Sequence, residues 1–345
     1  MTGKLMRALT LLIAFCGSVF VSDVLAHELR PAYLQITQKA PEEFSVLWRV
    51  PARGQMKLSL SVAFDGEVTQ LDSAAGRLAN GMYSERWHIN SATGLTGTAV
   101  VVNGLEQTMT DVLMRVEWLD GREQVVRLVP ENPRYVFSGN ARADHWLPTY
   151  FVLGVEHILL GIDHLLFVLV LLLLVSGWHS LAITISAFTL AHSVTLALSV
   201  LGVLSVPQAP VEAVIALSIV FVASEILLKQ RGLSTLSIRR PWLVAMGFGL
   251  LHGLGFAGAL ADIGVPAEAI AGSLLAFNLG VEAGQLLFIA AVAAVYVLLR
   301  TGLETGVITG KRLHASRAMV MSLLVYVIGG TASWWLIDRT VALIS

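Results

Sequence analysis

Between Phe151 and Leu174 the sequence reads FVLGVEHILLGIDHLLFVLVLLLL, an apolar run that carries Glu156, His157, Asp163 and His164 in its first half. A charge at the bilayer centre costs about 2.5–3.5 kcal/mol on insertion scales, so a segment that only had to cross would not hold four ionisable groups. Residues seven apart share a helix face. That spacing stacks His157 above His164, with Glu156 and Asp163 as a second stripe beside them, and places Gly161 where the helix could break.

Further polar residues recur in later apolar runs. Thr189, His192, Thr195 and Ser199 lie along one helical face, and Glu225 stands near the end of the next run. His252 sits in the glycine-rich GFGLLHGLGFAG, and Asn278, Glu282 and Gln285 form a continuous stripe. The apolar parts of these runs contain no Lys or Arg. Buried carboxylates without a protein cation must be protonated, solvated or paired with a bound ion. Imidazole with carboxylate suits divalent nickel, cobalt, zinc and iron, and the lack of a cysteine or methionine cluster argues against Cu(I). Taken singly, His192 or His252 equally suits hydrogen bonding between packed helices, the glycine run suits close packing, and Glu225 can reach the interface beside Lys229. A short tandem similarity links Phe188–His192 with Phe248–His252, each followed some thirty residues on by a glutamate, Glu225 or Glu282.

The elements that must position these groups follow from composition. Of 345 residues, 55% are hydrophobic and 14% charged, against about 25% charged in soluble domains, and the mean hydropathy is +0.73. The fold class expected is an α-helical polytopic membrane domain preceded by a small all-β, sandwich-like extracytoplasmic domain. Net charge −1 implies no nucleic-acid partner, and the single cysteine, Cys16, rules out a disulfide framework. Residues 1–26 read as a signal peptide: Lys4 and Arg7, an apolar run from Leu9 to Val21, then Val24-Leu25-Ala26. Cleavage there leaves His27 as a new N-terminus whose α-amine and imidazole could chelate Cu(II) or Ni(II).

Residues 27–140 read as β-structure. Phe44, Val46, Trp48 and Val50 alternate, as do Val112, Met114, Val116 and Trp118. Turns fall at Lys39-Ala40-Pro41-Glu42 and at Asp120-Gly121, which suggests a small antiparallel sandwich. The membrane domain spans 146–345, with six spans expected near 148–175, 180–203, 210–228, 242–261, 270–299 and 318–337. Pro148, Pro210 and Pro241 open three of them. Lys229, Arg231, Arg239 and Arg240 fill one loop and Arg300, Lys311, Arg312 and Arg317 another, whereas loops 204–209 and 262–269 carry no Lys or Arg. The positive-inside rule makes the basic loops cytoplasmic and puts the N-terminal domain and the C-terminus outside.

The His157-x5-Asp163-His164 pattern resembles the first-span signature of the HupE/UreJ family, bacterial membrane proteins regarded as nickel or cobalt permeases. LGVEHILLGIDHLLFVL, FTLAHSVTL, HGLGFA and FNLGVEAGQ are similar to the same family over roughly 148–337. A second family motif is kept only as Leu251-His252-Gly253, with Phe256 where its second histidine would fall and Ala259 in its glutamate position. The long N-terminal domain resembles an extended branch. The resemblance implies that His157, Asp163 and His164 take part in metal transport.

The reading that follows is a divalent-metal permease of the bacterial inner membrane, nickel or cobalt being its substrate, with no organic cofactor and no enzymatic activity. The expected metal ligands are His157, Asp163, His164, His192, His252 and Glu282, supported by Glu156, Asn278 and Gln285. The expected partners are the ion, the lipid bilayer and a periplasmic metal-delivery protein. The competing readings are a membrane metalloenzyme with a permanently bound metal, and a metal-sensing or assembly factor acting through the β domain.

Overall fold

A computed structural model describes residues 31–53, 56–72, 75–79, 81–138, 146–263, 270–304 and 310–344. The expected signal peptide, with Cys16, and the expected new N-terminus His27 lie outside the described residues. The chain divides into two compact units, one built from Leu29–Gly154 with Gly258–Phe277, the other mainly from Val155–Ala257 and Asn278–Ser345.

The first unit holds strands β1 (Ala32–Gln38), β2 (Glu43–Arg53), β3 (Met56–Lys57), β4 (Ser61–Asp65), β5 (Thr69–Gln70), β6 (Ala75–Ala79), β7 (Met82–Asn90), β8 (Ala99–Asn103), β9 (Val112–Glu117), β10 (Glu123–Leu128) and β11 (Arg134–Val136). Among the described residues they form an eight-stranded sheet, ordered β10-β9-β1-β2-β7-β5 with β3 on β2 and β6 on β7, and a three-stranded sheet ordered β11-β8-β4. Both expected hairpins form. The Lys39 amide donates to the Glu43 carbonyl at 2.9 Å, and the Trp118 amide donates to Arg122 across a turn in which Gly121 takes φ 81°, a conformation cheap only for glycine.

The expected all-antiparallel pairing is corrected at one place: β1 and β9 run parallel, Ala32 opposite Val112 through Thr37 opposite Glu117. Alternation reports which face of a strand is buried, not its partner or direction. The long excursion between β2 and β9 brings the chain back along the free edge of β1 in the same sense. Leu34, Ile36, Val46, Trp48, Val112, Met114 and Val116 from the larger sheet share one core with Val100 and Val102 from the smaller. Each large apolar side chain buried there contributes roughly 1.5–3 kcal/mol. Odd positions face the other way: Arg115 pairs with Glu117 and Glu123, each at 2.8 Å. Burial pushes the Tyr33 hydroxyl up to about 12 despite the nearby Arg115.

The second unit is helical. Its helices are α1 (Trp146–Leu160), α2 (Ile162–Leu174), α3 (Trp178–Val200), α4 (Gln208–Gln230), the short α5 (Leu236–Arg239), α6 (Pro241–Ile263), α7 (Ile270–Glu304) and α8 (Gly310–Ile344). Three of them, α1, α6 and α7, have one end in the first unit's residue range. Among the described residues α3, α4, α7 and α8 are long and apolar enough to cross a membrane, and the α1–α2 pair, bent by 72°, is a fifth candidate. In α6 the apolar stretch Pro241–Gly255 is shorter.

One finding matches the sequence expectation at Gly161, and one differs from it at the last helix. The first run is not one straight helix but two, meeting at Gly161. An added Cβ there would lie 2.6 Å from the His157 carbonyl oxygen and 2.9 Å from His164 Nδ1, so the break requires glycine. The final helix runs beyond the expected end at 337, through Arg339 to Ile344. It lies antiparallel to α4, tied at one end by Ser322 donating to Gln230 at 2.8 Å and at the other by Arg339 donating to the Glu212 carbonyl at 2.8 Å. Lys229, near the C-terminal end of α4, donates to the Leu174 carbonyl and to Ser176, so α2 and α4 run parallel. Phe167, Phe188, Ile219, Val222, Val325, Ile328 and Trp335 pack between these helices.

Candidate metal centre

The break at Gly161 decides the geometry of the site. In a continuous helix His157 and His164 would be separated by about 10.5 Å along the axis. The 72° bend instead brings their rings to a centroid distance of 4.5 Å. His157 closes α1 and is partly exposed, while His164 stands in the first turn of α2 and is buried.

His192 of α3 and His252 of α6 enter the same cluster, and both are fully buried. His192 lies 6.1 Å from His157 and 6.5 Å from His164, and His252 lies 5.3 Å from His164. Two glycines let α6 approach α3. A Cβ on Gly249 would meet the Phe188 carbonyl oxygen at 2.4 Å, and one on Gly253 would meet the His192 carbonyl oxygen at 2.3 Å. Their four-residue spacing is the small-xxx-small pattern of tight membrane helix pairs. The glycine run is therefore packing, and the packing positions His252. Phe167 and Phe188 wall the cluster, with ring distances to His252 of 4.8 and 5.2 Å.

The hydrogen bonding of the cluster is sparse. Ser218 donates to the Ile215 carbonyl at 2.6 Å and lies 3.0 Å from His252 Nε2. With its proton committed, the hydroxyl accepts from Nε2–H, which leaves Nδ1 as the lone-pair nitrogen of His252. That Nδ1, and both ring nitrogens of His164 and of His192, are buried with no hydrogen-bond partner among the described residues. Leaving a buried polar atom unsatisfied costs about 1–3 kcal/mol, so five such nitrogens in one cluster require an explanation.

The carboxylates lie elsewhere. The premise that buried carboxylates here lack a protein cation is corrected for Asp163, which accepts from Arg339 Nη2 at 2.7 Å. Arg339 lies in the two residues beyond the expected end of the last span. Helix α8 continues because apolar Val341-Ala342-Leu343-Ile344 follows it, and that continuation carries the guanidinium back into the bundle. Glu282 accepts from Ser186 at 2.8 Å and Gln285 accepts from Thr189 at 3.0 Å, forming a polar ladder between α3 and α7 on which buried Asn278 lies one turn earlier. Glu156 precedes His157 on α1 and is half-buried. Glu225 is buried and accepts from the Thr235 hydroxyl rather than reaching Lys229.

The structure thus brings together His157, His164, His192 and His252, and places Asp163 on Arg339 and Glu282 on Ser186. Among the described residues no three His, Cys, Asp or Glu side chains already stand in an arrangement that holds an ion. Ser218, Glu212 and Arg339 were not singled out from the sequence. Only Arg339 left a signal there, the apolar residues that follow it.

A family model described as HupE / UreJ protein matches residues 135–339, more than half of the chain. No curated protein and no solved structure matches the chain.

Proposed function

We propose that this chain, which belongs to the HupE/UreJ family, is a divalent-metal permease of the bacterial inner membrane. The observation that carries the reading is the convergence of four imidazoles from α1, α2, α3 and α6, three of them buried. Two imidazoles bound to one ion at a metal–nitrogen distance of about 2.1 Å place their ring centroids roughly 4.6–5.3 Å apart for bond angles of 90–109°. The His157–His164 and His164–His252 spacings of 4.5 and 5.3 Å agree with this. The His192 spacings, 6.1 and 6.5 Å, are about 1 Å wide, a shift that one rotamer adjustment on ion binding supplies. Nickel or cobalt is the substrate that the family association favours, and imidazole is a ligand both metals accept.

In this reading α1 and α2 together cross the membrane and α6 completes a set of six spans. Loops rich in Lys and Arg face the cytoplasm, and the two-sheet β unit lies in the periplasm as a sandwich, delivered by the signal peptide. The ion enters past partly exposed His157, is held by His164, His192 and His252, and leaves when protonation of the ring nitrogens displaces it. Imidazole ligates only in its neutral form, so protons compete directly with the metal. The cluster transports an ion rather than holding one permanently for catalysis.

The test is accumulation of radiolabelled nickel, cobalt, zinc and manganese in cells expressing the full chain. Nickel or cobalt uptake above vector controls is expected, with His164→Ala and His192→Ala each losing at least about 90% of it at unchanged membrane abundance, since each removes one of the few ligands. Uptake equal to the vector control for all four ions, or full uptake by both variants, would overturn the reading.

A further inference from the structure

We propose that Arg339 is the resident counter-cation of Asp163 and exchanges with the transported ion, so that the Asp163–Arg339 pair gates the histidine cluster. The inference rests on the permease reading. Asp163 is joined through the backbone to His164, a cluster member, in the first turn of α2, two residues from the break at Gly161. The histidines supply nitrogen ligands but no negative charge. A divalent ion among neutral imidazoles in an apolar surround leaves its charge uncompensated, which is costly in low dielectric. The carboxylate beside His164 is the natural compensator, and it already has a cation.

That cation is held so that it can leave and return. Arg339 Nη2 donates to Asp163 at 2.7 Å, Nη1 donates to the Glu212 carbonyl at 2.8 Å, and the guanidinium lies 5.7 Å from the Trp335 ring. The Glu212 carboxylate stands 4.0 Å from Nε, near but not in close contact. The side chains of Arg339 and Asp163 are only 10% and 15% exposed, and that of Glu212 21%. Two carboxylates therefore flank one guanidinium, one tightly bound and one loosely. When an ion takes Asp163, Arg339 keeps its hydrogen bond to Glu212 and tightens on the second carboxylate. The ion raises the local charge by two units, and Arg339 stays charged and partnered on Glu212 throughout. Arg339 sits in the last turns of α8, beyond Val325, Ile328 and Ala332 that anchor the helix in the core, so its end can shift without unpacking the bundle. With Arg339 on Asp163 that pair is neutral without metal, and arginine and ion compete for one carboxylate.

The test uses the full chain purified in detergent and titrated calorimetrically with nickel chloride or cobalt chloride alone. Arg339→Gln removes the competitor, so metal binding tightens by about tenfold, within the usual range of coupling between sites. Arg339→Lys keeps a cation and stays within about threefold of the original. Folded Arg339→Gln protein that binds with the original or weaker affinity would overturn the gate. If Arg339→Gln does not fold, hydrogen exchange of the unaltered protein decides. Nickel then accelerates exchange in Trp335–Ile344 as Arg339 leaves Asp163, and exchange that is unchanged or slowed overturns the gate. Original protein that binds neither ion overturns the permease reading and the gate with it, whereas original protein that binds while Arg339→Gln matches it overturns the gate alone.

Discussion

At the scale of single residues, the informative contacts are those of Asp163. An unpaired buried carboxylate would be destabilising, and its replacement by asparagine would be neutral or favourable. The ion pair with Arg339 at 2.7 Å reverses that expectation. Removing one partner of a buried pair costs about 3–5 kcal/mol because the other charge is left behind. The exposure of 10% and 15% for the two side chains reduces this to about 2–4 kcal/mol. Asp163→Asn should therefore lower the thermal midpoint of the detergent-solubilised protein, and Asp163→Asn/Arg339→Gln should regain most of the loss. A double variant no more stable than Asp163→Asn alone would show that the pair is not the source of the effect. The four histidines differ from Asp163 in this respect. Five ring nitrogens of His164, His192 and His252 are buried without a hydrogen-bond partner among the described residues, which on the proposed reading a bound ion satisfies.

At the scale of elements, the decisive feature is the break between α1 and α2. The 13-residue α2 is about 20 Å long and cannot cross a hydrocarbon core of roughly 30 Å by itself. On the six-span reading proposed above α1 completes the crossing, and the bend between them brings two histidines into one cluster. Gly161→Ala places a methyl 2.6 Å from a carbonyl oxygen and 2.9 Å from a cluster nitrogen, contacts that real Cβ atoms do not tolerate. The variant should lose metal uptake and binding while still inserting in the membrane. Gly247 has no atom within 4 Å of an added Cβ, so Gly247→Ala should be silent in uptake and at most about 1 kcal/mol more stable, the helix-propensity gain. Equal uptake by Gly161→Ala and the original protein would mean that the bend does not matter for transport.

At the scale of the whole molecule, the contacts at the two ends of α2, α4 and α8 sort into two sets. Ser176, Lys229, Gln230 and Ser322 meet at one end, and Asp163, Glu212 and Arg339 at the other. The first set adjoins the loop of Lys229, Arg231, Arg239 and Arg240, which the positive-inside rule predicts to be cytoplasmic. On the orientation and function proposed above, the Asp163–Arg339 pair faces the periplasmic half, the side from which an imported ion arrives. A reporter active only in the cytoplasm, fused after Ser345, should be silent, and one active only outside should work. Strong cytoplasmic activity would reverse the sidedness of the pair.

The sequence by itself determined the membrane character, the β-rich N-terminal region with both hairpins, the place of the break and the histidines of the cluster. Each of these follows from local pattern: mean hydropathy, alternation, a turn dipeptide, a glycine between two His-bearing segments. Only the tertiary structure decided how the polar groups pair. Parallel pairing of β1 and β9, the contact of Asp163 with Arg339 across 176 residues of chain, the Ser218–His252 contact and the seating of Glu282 on Ser186 are all long-range. Nothing in a local pattern encodes which distant side chain neutralises a buried charge, because that choice depends on where separately formed helices come to rest. The continuation of α8 past residue 337 was legible in its apolar tail. What the tail could not say is that the arginine within it would point at the carboxylate beside His164.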